Sequence, residues 1–147
     1  MKPRLLFVCV ENSCRSQMAE GFARLHGAGK VDAFSAGSRP SGKVNETAVA
    51  LMKEKGADVS SQRSKGLDDL PAGRWAAVVT MGCGDACPHL DAQRRVDWAL
   101  PDPKHLPLEE FRRVRDDIEA RVKALIAEVA DAASCNLYNK KPPTGRD

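Results

Sequence analysis

The sequence is short of cysteine, of net charge and of long apolar runs, and each shortage excludes a class of protein. Its 147 residues include 5 cysteines, far below the ~8–10% of small secreted domains built on disulfides. The formal net charge of +3 is too small to indicate a nucleic acid or a membrane surface as a partner. The first apolar run, residues 5–10, is too short for a membrane span or a cleaved signal peptide. We therefore expect a cytoplasmic protein whose thiols are reduced and which binds neither nucleic acid nor membrane.

What the chain does contain is enough length for one hydrophobic core and an alternation of strand and helix patterns. Apolar residues recur at helical spacing after three positions: Ser16, Asn45 and Pro107. The candidate strands that alternate with these helices are 5–8, 31–36, 75–81 and 95–100. This order predicts a single α/β domain with an open parallel sheet flanked by helices. The domain is expected to cover residues 1–133, and the proline-containing, basic segment 134–147 is expected to be a disordered tail.

A thiol and an arginine flank the loop that follows the first candidate strand. Five residues separate Cys9 from Arg15, and the helical pattern begins at Ser16. A loop of this length places backbone N–H groups and a helix N-terminus around a tetrahedral oxyanion, and Arg15 can hold two of the anion's oxygens. The same positive field favours the thiolate of Cys9, which is then a nucleophile. The bland interpretation is a buried structural cysteine beside a surface arginine.

The residues expected to surround the oxyanion are those of the loop and of the first helical turn. Ser16 can donate a hydrogen bond to the Cys9 sulfur, and the amide of Asn12 can brace the loop. The predicted oxyanion-binding residues are Val10, Glu11, Asn12, Ser13, Cys14, Arg15 and Ser16.

A second pair of thiols, Cys83 and Cys87, lies in a glycine-containing segment after the strand at 75–81. On a helix their Cβ atoms would be ~5–6 Å apart, whereas a disulfide requires ~3.8 Å. Oxidation would therefore distort the segment, so we predict that its conformation depends on its redox state. The alternatives are two unrelated packed thiols, or a metal site that also uses His89. The metal site lacks the usual ligand spacing and a convincing fourth ligand, and we expect no resident metal or cofactor.

An aspartate between two prolines, Asp102, is the candidate general acid. In an enclosed site its carboxyl group can protonate a leaving oxygen. The residues alone favour an ordinary turn aspartate, and both interpretations stay open at this point.

Taken together, these segments resemble the thioredoxin-coupled arsenate reductases, which share a fold with the low-molecular-weight protein tyrosine phosphatases. The resemblance runs from about Leu5 to the end of the last helix and is carried by CVENSCRSQMAEG at 9–21, SAG at 35–37, VVTMGCGDACP at 78–88, DW at 97–98 and DP at 102–103. It implies a four-stranded parallel sheet flanked by helices.

The resemblance also implies a mechanism and a set of roles. Cys9 would attack arsenate held by the loop and Arg15, with Asp102 as the acid. Cys83 would then attack Cys9 and release arsenite, and Cys87 would attack Cys83. The resulting Cys83–Cys87 disulfide would be reduced by thioredoxin, or by glutaredoxin with a low-molecular-weight thiol. Reduction of As(V) needs two electrons, hence two thiols that end as a disulfide, which is how the reductase differs from the phosphatase.

Two other functions compete with arsenate reduction. A phosphatase acting on phosphoesters would use the same loop, and a non-catalytic oxyanion sensor would keep the loop without the chemistry. Intact Cys9, Arg15 and Asp102 argue against the sensor. We expect an enzyme of arsenic detoxification that is a monomer.

One further feature of the resemblance concerns potassium, which some members bind near residues matching Asn12, Glu20 and Ser35. Their acidic fourth ligand comes from the loop after the second helix, and this chain has Lys65 there. Our hypothesis is that the Lys65 ammonium takes the place of the ion.

Overall fold

A computed structural model describes residues 2–81 and 90–139, with residues 131–139 described by their backbone alone. Its strands and helices alternate along the chain, as the sequence predicts. In order they are β1 (Arg4–Cys9), α1 (Arg15–His26), β2 (Asp32–Gly37), α2 (Glu46–Lys53), β3 (Trp75–Thr80), β4 (Ala92–Asp97) and α3 (Leu108–Asn139).

The four strands form one parallel sheet in the order β2-β1-β3-β4. β2 lies on one side of β1, and β3, which comes later in the chain, lies on the other side of β1. A crevice opens beyond the carboxyl ends of the strands at such a reversal of order, and ligands bind there in open α/β sheets. Cys9, the last residue of β1, is therefore placed at the crevice. The predicted four-stranded parallel α/β fold is confirmed.

The fourth strand differs from its predicted position at 95–100, because it spans Ala92–Asp97. The prediction followed the alternating apolar residues Val96, Trp98 and Leu100. In the structure the last two lie beyond the strand, where the chain bends so that the Leu100 N–H bonds to the Trp98 carbonyl at 2.8 Å. Both side chains are buried in the core, so their alternation reports packing beyond the sheet rather than strand pairing.

The hydrophobic core lies on both faces of β1. The three helices pack on the face that carries Leu5 and Phe7, where Phe22 of α1 and Ile118 of α3 are fully buried. The opposite face carries a smaller cluster around Trp75. Burial on both sides explains why the sequence of β1 is continuously apolar. The strand is a rigid support for the loop that follows it.

The last helix extends further than predicted. Residues 134–139, which we expected to belong to a disordered tail, are helical as part of α3. The reason is that the stretch 130–139 contains neither glycine nor proline, and the first proline after it is Pro142. Among the described residues, no helix is both long enough and apolar enough to cross a membrane.

Candidate active site

The loop between β1 and α1 is held by its carbonyl groups. The carbonyl oxygens of Val10, Glu11 and Ser13 accept hydrogen bonds from backbone N–H groups of segment 39–45, at 2.8, 3.1 and 3.0 Å respectively. In a trans peptide the N–H that follows a carbonyl points the opposite way, and the described chain has no cis peptide. The N–H groups that follow these carbonyls are therefore directed away from segment 39–45, and two of the residues that carry them, Glu11 and Cys14, line the pocket described below.

The end of β2 supports this loop through a glycine. A Cβ atom on Gly37 would lie 2.5 Å from the Val10 carbonyl oxygen and 2.9 Å from the Asn12 nitrogen. Real side chains do not approach backbone so closely, so only glycine allows the loop to lie against the sheet at this point. Sequence reasoning noted the Ser-Ala-Gly segment but did not find this role. The signal for it was a glycine at the end of a strand.

The Cys9 sulfur is the end of a chain of hydrogen bonds. Its Sγ lies 2.8 Å from Ser16 Oγ, and that oxygen accepts a hydrogen bond from Asn12 Nδ2 at 2.8 Å. Because Ser16 Oγ accepts from Asn12, its own hydrogen is available for the sulfur. A hydroxyl that donates to sulfur stabilises the thiolate. The predicted roles of Ser16 and Asn12 thus agree with the geometry.

Asn12 is fixed by side chains that the sequence analysis did not single out. It has a left-handed φ of 51°, and its Oδ1 accepts hydrogen bonds from Gln17 Nε2 and from the Lys65 N–H, both at 2.8 Å. Gln17 is fully buried, and its Oε1 accepts from Gln62 Nε2 at 2.7 Å. These bonds over-determine an unfavourable backbone conformation, so the two glutamines position Asn12 and, through it, Ser16.

Arg15 is buried and already has two protein partners. Its Nη1 donates to the carbonyl oxygens of Met81 and Leu100, at 2.7 and 3.0 Å. Its Nε is buried without a hydrogen-bond partner. Nε and Nη2 form one edge of the guanidinium group, the edge that grips two anion oxygens. This unpaired buried donor makes the edge available to hold an anion.

A pocket of about 200 Å³ lies over the loop and is lined by Cys9 and Arg15 and also by Asp102 and Lys104. Asp102 begins a short turn of 3₁₀ helix (Pro103–His105), and its Oδ1 accepts the Lys104 N–H at 3.1 Å. The structure thus brings together Cys9, Arg15 and Asp102, although residues 9 and 102 are far apart in sequence. Asp102 therefore both caps this turn and lines the pocket, and its role as the general acid stays a prediction.

Cys14 lines the same pocket but differs from Cys9 in its surroundings. Burial, and after it the charge of Asp102, raises the pKa of Cys14 to about 12. The side chain therefore remains a thiol at neutral pH. A thiol of this pKa is neither a nucleophile nor a metal ligand in the resting enzyme.

Iodoacetamide at pH 8 is therefore expected to modify Cys9 and to spare Cys14, whose thiolate fraction there is only about one in ten thousand. Both cysteines fall in the tryptic peptide 5–15, so fragmentation in the mass spectrometer assigns the label. Protein unfolded in guanidinium is the control, in which both residues should react. Equal labelling of the two in the folded protein would contradict the protonated state of Cys14.

The proposed replacement for potassium can be compared with the contacts of Lys65. Its Nζ lies 3.5 Å from Glu20 Oε1 and 3.1 Å from the Arg63 carbonyl oxygen. Glu20 Oε1 also accepts a hydrogen bond from Ser35 Oγ, and Glu20 Oε2 forms an ion pair with Arg24 at 2.6 Å. A cation thus occupies this position beside the buried Glu20, and the hypothesis agrees with the geometry.

Three predicted residues cannot be compared with the structure. Cys83, Cys87 and His89 lie outside the described residues, and so does the alternative metal site. Among residues 2–81 and 90–130 there is no group of three or more histidine, cysteine, aspartate or glutamate side chains that could hold a metal ion.

Similar proteins carry related names. A glutaredoxin arsenate reductase of Synechocystis is 42% identical over 130 residues, which cover 86% of this chain and 98% of that protein. An arsenate reductase of Staphylococcus aureus is 40% identical and covers 83% of this chain and 95% of its own.

Solved structures agree in fold. An arsenate reductase in its phosphate-binding state superposes with a TM-score of 0.80 at 43% identity, covering 88% of this chain and 99% of its own. A thioredoxin-dependent arsenate reductase of Corynebacterium glutamicum, at 29% identity, gives 0.74 over 89% of this chain and 63% of its own.

The family model described as low molecular weight phosphotyrosine protein phosphatase matches residues 4–134, which is nearly the whole of the described fold. Since the relatives that are 40–42% identical to the chain are arsenate reductases, the resemblance inferred from the sequence motifs is confirmed. The chain belongs to the low molecular weight phosphotyrosine protein phosphatase family and is similar, within it, to arsenate reductases.

Proposed function

We propose that this protein is an arsenate reductase that converts arsenate to arsenite by a relay of three thiols. The observation that carries the proposal is the Cys9 sulfur, bonded to Ser16 at 2.8 Å in a pocket where Arg15 has an unpaired buried donor. A tetrahedral oxyanion would bring oxygens to Arg15 and its central atom to the sulfur. Arsenate reductases among the similar proteins support this substrate over other oxyanions.

In the first step the Cys9 thiolate attacks arsenic, and one arsenate oxygen leaves. Asp102, which lines the same pocket, donates the proton with which that oxygen departs as water. The product is a Cys9–arsenate adduct in which arsenic is still As(V). Arg15 and the loop N–H groups balance the negative charge throughout.

In the second step the Cys83 thiolate attacks the Cys9 sulfur. A Cys9–Cys83 disulfide forms, the sulfur–arsenic bond breaks, and its electron pair stays on arsenic, which leaves as As(III). Cys87 then attacks Cys83, which frees Cys9 and yields a Cys83–Cys87 disulfide. Met81, two residues before Cys83, accepts a hydrogen bond from Arg15 through its backbone carbonyl. The chain is therefore anchored to Arg15 just before it reaches Cys83.

The reductant is a dithiol protein, which we propose to be thioredoxin, with glutaredoxin and a low-molecular-weight thiol as the alternative. Similar proteins carry both descriptions. The cytoplasm is the compartment that keeps such a relay reduced, and we place the enzyme there, as a monomer.

The test supplies arsenate, thioredoxin, thioredoxin reductase and NADPH, and follows the loss of NADPH. Steady consumption that requires arsenate supports the proposal, and replacing thioredoxin by glutaredoxin and glutathione identifies the donor. If neither system consumes NADPH while the protein hydrolyses an aryl phosphate efficiently, the enzyme is a phosphatase instead. Weak phosphatase activity is expected of the reductase as well, because its loop would accept phosphate.

Exchange of sodium for potassium at constant ionic strength is expected to change kcat/KM for arsenate by less than about twofold, since Lys65 already supplies the cation beside Glu20. Lys65→Ala should lower kcat/KM and make it dependent on potassium, because Glu20 Oε1 then lacks its cationic neighbour. Lys43→Ala, which removes an exposed lysine paired with Glu46, is the control. A clear potassium dependence of the unmodified enzyme would refute the hypothesis.

A further inference from the structure

Lys104 connects the segment that carries the acid to the loop that carries the nucleophile. Its backbone N–H donates to Asp102 Oδ1 at 3.1 Å, and its Nζ donates to Glu11 Oε1 at 2.7 Å. Glu11 is itself fixed, because its backbone carbonyl accepts a hydrogen bond from Ser64 Oγ at 2.8 Å. The ion pair therefore spans the mouth of the pocket between two anchored segments.

The pair also separates two spaces. On one side is the oxyanion pocket of about 200 Å³, which Glu11 and Lys104 both line. On the other is a more open groove of about 550 Å³, lined by the same two residues, by Ser13, which lines the pocket too, and by Ser41 and residues 43–47. The pocket is smaller than the ~300–1,000 Å³ of sites for extended organic ligands, so a group attached to the anion would have to extend outward, and the groove is the neighbouring space.

We propose that the Lys104–Glu11 ion pair is a specificity-determining partition that restricts the pocket to free inorganic oxyanions. The inference rests on the proposed function. A free tetrahedral anion fits behind the closed pair, whereas a phosphate ester must separate Lys104 from Glu11 before its organic group can enter the groove. The lysine also neutralises the carboxylate on the loop, which would otherwise repel a dianion.

The test uses a double variant, Glu11→Gln with Lys104→Met, which removes the ion pair without changing the net charge at the mouth. Two quantities are measured without arsenate or reductant: kcat/KM for p-nitrophenyl phosphate, and the inhibition constant of inorganic phosphate. The ratio of ester reactivity to phosphate affinity is expected to rise about three- to fivefold, the factor that corresponds to separating a partly exposed ion pair.

The matched control removes a neighbouring ion pair in the same way. Lys43 and Glu46 are paired at 3.2 Å in the wall of the groove, and Lys43→Met with Glu46→Gln should leave the ratio unchanged. Glu11→Gln alone replaces the ion pair by a neutral hydrogen bond, which weakens the partition and should raise the ratio, so the proposal stays testable if the double variant does not fold.

An unchanged ratio in folded Glu11→Gln, or an equal rise in the control, would overturn the partition. Because these assays contain no arsenate, such a result is distinct from a failure of the proposed reductase activity, which the NADPH assay detects.

Discussion

Replacement of Cys83 by serine is expected to abolish arsenate turnover while sparing the hydrolysis of aryl phosphates. Without the Cys83 thiolate no group attacks the Cys9 sulfur. The electron pair of the sulfur–arsenic bond is then not left on arsenic, which stays As(V). Hydrolysis needs only the nucleophile, the acid and water. The measurement is arsenite formed per enzyme, alongside p-nitrophenol released by the same preparation.

Cys87→Ser sharpens this prediction, because it stops the relay one step later. Each enzyme should release one arsenite and remain as a Cys9–Cys83 disulfide, so that arsenite per enzyme is expected to be none for Cys83→Ser, one for Cys87→Ser and many for the unmodified enzyme. Cys135→Ser, in the C-terminal part of the chain, is the matched cysteine control. Sustained turnover by Cys83→Ser would show that another thiol supplies the electrons.

The sequence predicted the parts of the fold that depend on local pattern. The buried run of β1, the helical spacing of α1 and the start of α2 after Asn45 are all readable from a few consecutive residues. In the structure the Asn45 side chain caps that helix by accepting from the Ala48 N–H at 2.9 Å. The position of β4 was not, because Trp98 and Leu100 alternate like strand residues while they pack into the core beyond the sheet. An alternation of apolar residues shows which side chains are buried, and a side chain can be buried without its residue pairing in a sheet.

The candidate site shows the same division. Cys9, Arg15 and Ser16 lie within eight residues and could be predicted as one loop from their spacing. The contacts of Gln17 with Gln62 and of Lys104 with Glu11 join segments 45 and 93 residues apart, and no local pattern in the sequence pairs them. What the sequence did provide was the residue types, and Lys65 in place of an acid was enough to predict a cation beside Glu20.

Arg15→Lys is expected to lower kcat/KM for arsenate by ~10²- to 10³-fold, the range found when a preorganised donor to a transition-state charge is removed. The reason lies in the two tasks that the guanidinium performs. One nitrogen holds the carbonyls of Met81 and Leu100, and the other edge, with its unpaired Nε, is the one we propose to hold the anion. A lysine ammonium has one nitrogen and no fixed fork, so it cannot serve the carbonyls and two anion oxygens at once.

Two measurements separate these tasks. The inhibition constant of phosphate measures how well the Nε edge holds an anion. The free energy of unfolding measures the hydrogen bonds to the two carbonyls, and leaving these without a charged donor is expected to cost ~1–3 kcal/mol. Arg74→Lys, at an exposed arginine that precedes β3 at the opposite end of the sheet, should change neither. Phosphate binding within twofold of the unmodified enzyme would contradict the assignment of the Nε edge to the oxyanion. A weakened phosphate affinity together with unchanged stability would instead mean that the lysine still holds the carbonyls and fails only at the anion.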